Sequence, residues 1–266
     1  MSFLQDWVQQ IAGDAVEAHA LLPPGASPHT FEPTPQIAEQ AGQASLRVVI
    51  GLGVDDWALH LASAPGAATV VLGEQVQTMP MASPDLDEGR PAGGPDPHVW
   101  MDPLRAAQMV AALTPELVKL VPAQKAAFEQ RSQAYQKQLT DFAAQMEQRF
   151  RPYAGRHVVT MHGAFDYLLL RCGLPAADVI TEFPGKEPST QYLESLGLKA
   201  RRENIKVVFT EPQISPKAAD VLAQEIGGQT LILDEVGNAE DPTRNTYLKL
   251  LQFDTDELFK GLALNG

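Results

Sequence analysis

Residues 122–151 read PAQKAAFEQRSQAYQKQLTDFAAQMEQRFR, and their spacing organises the rest of the chain. Phe128, Tyr135, Leu139, Phe142, Met146 and Phe150 step by sevens, fours and threes, which lays one apolar face along a single helix. Pro122 stands at a first-turn position, where its missing N–H costs nothing. At about 1.5 Å per residue the stretch would span roughly 45 Å, enough to run along two lobes. Its heptad-like spacing also suits a coiled-coil partner, although packing on a core is the usual meaning of such a face.

On the amino-terminal side of this stretch, 103–120 reads as another helix. Before it come a helix over 3–11, a strand over 15–22, a short helix over 36–43, a buried strand over 46–52, a helix over 55–64 and a short strand over 69–72. Residues 77–97 are rich in Pro, Gly and Asp without periodicity, which predicts a surface loop. On the carboxyl side strands (158–161, 178–182, 207–210, 230–233) alternate with helices (164–171, 189–203, 216–226, 243 onward). That alternation implies an α/β fold with mainly parallel sheets flanked by helices. A length of 266 residues accommodates two cores.

The net charge is −13, with 20 basic against 33 acidic residues, and this argues against a nucleic-acid partner, whose phosphates need a basic surface. Cys172 is the single cysteine, so an intrachain disulfide and a cysteine-rich metal site are both excluded. No apolar run is long enough to span a membrane, and no basic and then apolar leader follows Met1.

Ligands of open α/β sheets bind outside the carboxyl ends of strands, so residues just past strands are the first candidates for a site. His162, in Val-Val-Thr-Met-His-Gly, and Asp234, in Leu-Ile-Leu-Asp-Glu, meet that condition directly. His29 and His98 meet it on loops stiffened by Pro28 and Pro97. Three imidazoles and a carboxylate form a preferred donor set for a divalent transition metal, and the division between the two halves suggests an ion held between lobes. Glu211 follows a strand and is a candidate to accept an N–H from a ligating histidine, with Glu32 and Glu182 weaker candidates of the same kind. Asp102 precedes Pro103 as a helix cap, and Asp96 either orients the His98 imidazole or closes a turn, the turn being the commoner role. His19, His60 and His157 read as surface or hydrogen-bonded core histidines. A nucleophile elbow, a Walker loop and a His-Glu-x-x-His zincin motif are all missing, and four protein ligands would close a metal to catalysis. The rival readings are a metalloenzyme with three ligands and Glu211 as base, and an adhesin with a structural metal.

The fragments LPPGASPHTFEPTP, PDPHVWMDP, MHGAFDYL and FTEPQ, in this order, resemble the zinc- and manganese-binding solute-binding proteins of bacterial ABC transporters, the ZnuA/TroA-like (cluster A-I) group. The resemblance runs from about Phe3 to the C-terminus. It implies two α/β lobes joined by one long helix, with boundaries at 1–121, 122–151 and 152–266 and the metal in the cleft. It also implies His29, His98, His162 and Asp234 as ligands, Zn(II) as bound cargo with Mn(II) as the alternative, and a membrane permease as partner. A monomer that is periplasmic or lipid-anchored outside the cell is expected. Residues 77–97 lack the histidines of many zinc importers, and the opening strand of the family's N-terminal lobe has no counterpart: either the sequence is truncated at its start, or that sheet is one strand short and a neighbouring strand becomes an exposed edge. Binding is expected to release protons below about pH 6, because a coordinating imidazole must be neutral.

Overall fold

The structure is a computed structural model that describes residues 1–81, 93–181 and 188–265. Glu182 and the loop acids Asp85, Asp87 and Glu88 lie outside the described residues.

Helix α1 (Ser2–Ala12) buries Phe3, Leu4, Trp7, Val8 and Ile11, the face that its helical spacing predicts. Helix α2 (Pro35–Gln43) begins on Thr34, whose hydroxyl accepts from the Ile37 amide. Strands β1 (Leu46–Val49) and β2 (Ala68–Val71) pair in parallel as a two-stranded sheet. Two expectations fail in this half. Residues 16–22 form no strand, because a cavity of about 720 Å³, lined by Met1, Leu4, Val8, Val16, Leu46 and Val48 among others, leaves them without a paired neighbour. Of the helix expected over 55–64 only a 3₁₀ turn at Asp56–Ala58 forms. The Asp55 carboxylate turns back to accept from the amides of Ile50 and Gly51, fastening the bend after β1.

Helix α3 (Pro103–Leu120) is capped by Asp102, which accepts from the Leu104 amide. It packs on α4 (Lys125–Phe150), where Thr114 donates to Ser132 across the interface at 2.7 Å. Helix α4 buries Phe128, Tyr135, Leu139, Met146 and Phe150. Its 26 residues span about 39 Å, since Pro122–Gln124 forms a separate 3₁₀ turn.

Beyond it the chain alternates β3 (Val159–Thr160), α5 (Asp166–Arg171), β4 (Asp178–Val179), α6 (Thr190–Arg202), β5 (Val207–Thr210), α7 (Lys217–Glu225), β6 (Gln229–Ile232) and α8 (Tyr247–Leu264). The four strands make one parallel sheet in the order β4-β3-β5-β6. Central β5 is buried along its whole length. Helix α8 approaches it closely at Gly261, where a Cβ would come within 2.5 Å of the Phe209 ring, so any larger residue would push the helix off the sheet. A small core of Val159, Met161, Ile180, Leu196, Val208 and Leu222 fills one face of this sheet. The larger core joins the other face to α1, α3, α4 and α8. It is continuous from Phe3 to Leu262, so both halves of the chain are held to one apolar body.

Candidate metal centre

His29 lies on the loop after Pro28, His98 follows Asp96-Pro97, and His162 follows β3. These three segments, far apart in sequence, bring the imidazoles into a near-equilateral triangle with ring centroids 5.2, 5.4 and 5.5 Å apart. The Nε2 atoms of His29 and His98 stand 3.1 Å from each other. Glu235 completes the group: its Oε2 is 3.4 Å from His98 Nε2 and 3.8 Å from His162 Nε2. One donor atom from each of these four residues lies within 4.8 Å of all the others. Around a tetrahedral zinc, donors at about 2.1 Å sit roughly 3.4 Å apart, so the set has close to the right size for one ion.

The neighbours of the imidazoles choose which nitrogen faces the centre. Asp96 Oδ1 lies 2.8 Å from His98 Nδ1 and also accepts from the His98 amide. Asp96 thus closes the turn and orients the ring, so the two roles that the sequence offers as alternatives are both filled. Tyr167 donates to the Asp96 carbonyl at 2.9 Å, which ties this loop to α5. Glu211 Oε1 lies 2.8 Å from His162 Nδ1. In both rings a carboxylate takes Nδ1–H, so that each ring in its neutral form presents Nε2 as a lone-pair donor aimed inward. Burial works against a charged His162, but the charge and hydrogen bond of Glu211, with Glu235 and Asp96 adding to them, outweigh it and hold its pKa up at about 9. His162 Nε2 and Glu235 Oε2 are buried and have no hydrogen-bond partner among the described residues. Buried polar atoms are seldom left so, and a cation would satisfy both at once.

Asp234 stands elsewhere than expected. Its Oδ1 accepts from the side chain of Gln213 and the amides of Val236 and Gly237, and its Oδ2 pairs with Arg244 at 3.0 Å. Successive side chains of an extended segment point to opposite sides, so when Asp234 turns into this network, Glu235 turns to the histidines. The sequence assigns Glu235 no role, and its place beside the candidate carboxylate Asp234 is the one signal for it. Its backbone is also held, for Trp100 donates to the Glu235 carbonyl at 2.6 Å while its ring stacks on Phe3 of α1. Glu32 is absent from the group.

A family model for the zinc-uptake complex component A, periplasmic, matches residues 1–261. The chain belongs to this family. Its members are metal-binding receptors of ABC transporters and not enzymes. The chain is 29% identical to the high-affinity zinc uptake system protein ZnuA of Bacillus subtilis, over 99% of this chain and 86% of that protein. It is 27% identical to the iron-binding protein YfeA of Yersinia pestis, over 98% and 84%. In fold it is similar to the laminin-binding protein Lmb of Streptococcus agalactiae, described as having adhesin and metal-transporting activity, with a TM-score of 0.85, 24% identity and coverage of 97% and 95% of the two chains.

Proposed function

We propose that this receptor captures Zn(II) in the cleft, with His29, His98, His162 and Glu235 as the four donors, and delivers it to an ABC-type permease from the periplasm or from a lipid anchor outside the cell. The observation that carries the reading is the pair of unpartnered buried atoms, His162 Nε2 and Glu235 Oε2, facing two further imidazoles. Three nitrogen donors and one carboxylate suit zinc, whereas manganese prefers more oxygen. All four donors come from one chain, so the receptor works as a monomer. Four protein donors also leave no position for a reacting water. Segments 1–121 and 152–266 then act as the two lobes, with 122–151 as the link between them.

Relatives named for zinc and for iron bound the alternatives. The test is to load metal-free protein in an equimolar mixture of Zn(II), Mn(II) and Fe(II), remove free ions, and analyse the bound metal. One zinc per chain is expected, and it should be lost in His98→Ala. Retention of manganese or iron over zinc would overturn the assignment.

A further inference from the structure

We propose a second, weaker Zn(II) site at the opposite edge of the C-terminal sheet, formed by His157, Asp178 and Glu203. His157 lies just before β3, Asp178 opens β4 beside Val159, and Glu203 ends α6, so three elements converge there. The cleft histidine His162 lies at the far end of β3, roughly 15 Å away along an extended chain. One donor atom from each of the three residues lies within 4.8 Å of the other two. His157 Nδ1 is 3.9 Å from Glu203 Oε2, too far to hydrogen-bond and about 0.5 Å wider than the spacing around zinc. Both side chains are partly exposed, at 39% and 31%, so they can close that gap by small rotations.

Two atoms point to a missing partner. His157 Nδ1 and Asp178 Oδ2 are each shielded from solvent, and neither has a hydrogen-bond partner among the described residues. The other Asp178 oxygen accepts from Lys199 at 2.7 Å, which steadies the carboxylate while leaving Oδ2 available. One imidazole and two carboxylates, with solvent as the fourth ligand, make an open site for a borderline-soft divalent cation. The ammonium of Lys199 and the partial exposure make it weaker than the buried cleft. An ion there would clasp β3, β4 and α6 together.

The test is calorimetric titration of the whole chain with Zn(II), carried past the first equivalent. Two events are expected, a tight one in the cleft and a weaker second. His157→Ala and Glu203→Gln should each weaken the second by roughly tenfold or more and leave the first as it was. Neither substitution touches a cleft donor, so the outcome is independent of the assignment made above. A single equivalent, or a second one, unmoved by both substitutions would overturn the proposal; a single equivalent that both weaken would uphold it and overturn the cleft assignment instead.

Discussion

Glu235→Ala and Asp234→Ala separate a metal donor from a scaffold residue one position away. Asp234 is 1% exposed and accepts from Gln213, two backbone amides and the Arg244 guanidinium. Removing it leaves three N–H donors without their acceptor and takes one of two carboxylate partners from Arg244, which is 16% exposed and keeps Asp241; at roughly 1–1.5 kcal/mol per stranded donor this costs about 3–5 kcal/mol. A chain of this length has an unfolding entropy of about 0.56 kcal/mol/K, so Tm of the metal-free protein should fall by roughly 5 to 9 °C. Zinc should still bind below the melting range. Glu235 is equally buried but its Oε2 makes no hydrogen bond, only looser ion pairs with His98 and His162, so Glu235→Ala trades lost charge pairing against relief of a desolvated carboxylate and should lower Tm of the metal-free protein less than Asp234→Ala does. Zinc affinity should drop by more than the roughly 100-fold ceiling for groups that only support a ligand. Melting curves with and without zinc, together with competition against a chelator, read both effects. Binding lost in Asp234→Ala at unchanged Tm, with Glu235→Ala still binding within about tenfold of the unaltered chain, would refute the reasoning.

Two further outcomes follow from buried titrating groups. With its pKa raised to about 9, His162 is mostly protonated at pH 8, so zinc should displace most of a proton from it there, well above the pH 6 limit expected from an ordinary imidazole. Calorimetry in buffers of different ionisation enthalpy measures this. Glu211→Gln should bring the release at pH 8 below half a proton and lower the proton-corrected affinity by about 10–100-fold, and unchanged release would contradict the Glu211 role. In the metal-free protein the same raised pKa stabilises the fold below about pH 6.5, and that contribution is lost as pH rises through 9. Burial raises the Asp166 carboxyl from 3.8 to about 6, so its ionised form is penalised, not at all below pH 3.8 and fully above pH 6. The gap is worth about 3 kcal/mol. Asp166→Asn keeps an acceptor for the Ala177 amide and should stabilise the metal-free protein by up to that amount at pH 8 and hardly at pH 4, as denaturant melts at the two pH values would show.

The parts of the site that could be read from sequence are those set by local chemistry. Proline beside His29 and His98, and the strand before His162, mark these positions without any knowledge of tertiary contacts. The carboxylate could not be read in the same way. Asp234 and Glu235 are adjacent and chemically alike, and which one faces the histidines depends on where Gln213 and Arg244 arrive from 21 and 10 residues away. For Asp96 the sequence offers a turn role and a ring-orienting role as alternatives, and what it does not show is that one oxygen fills both. In the first half, 15–22 carries a strand-like pattern, but a strand needs a neighbour and the cavity beside β1 supplies none. The long helix is legible because its periodicity persists over seven turns.

Trp100 lies 5.4 Å from the His98 ring, holds the carbonyl of Glu235 and is fully buried. An indole so placed is a native fluorophore at the rim of the metal centre. Cargo arriving on the two residues it touches changes the charge and polarity around it, so its emission offers a label-free optical readout of receptor loading.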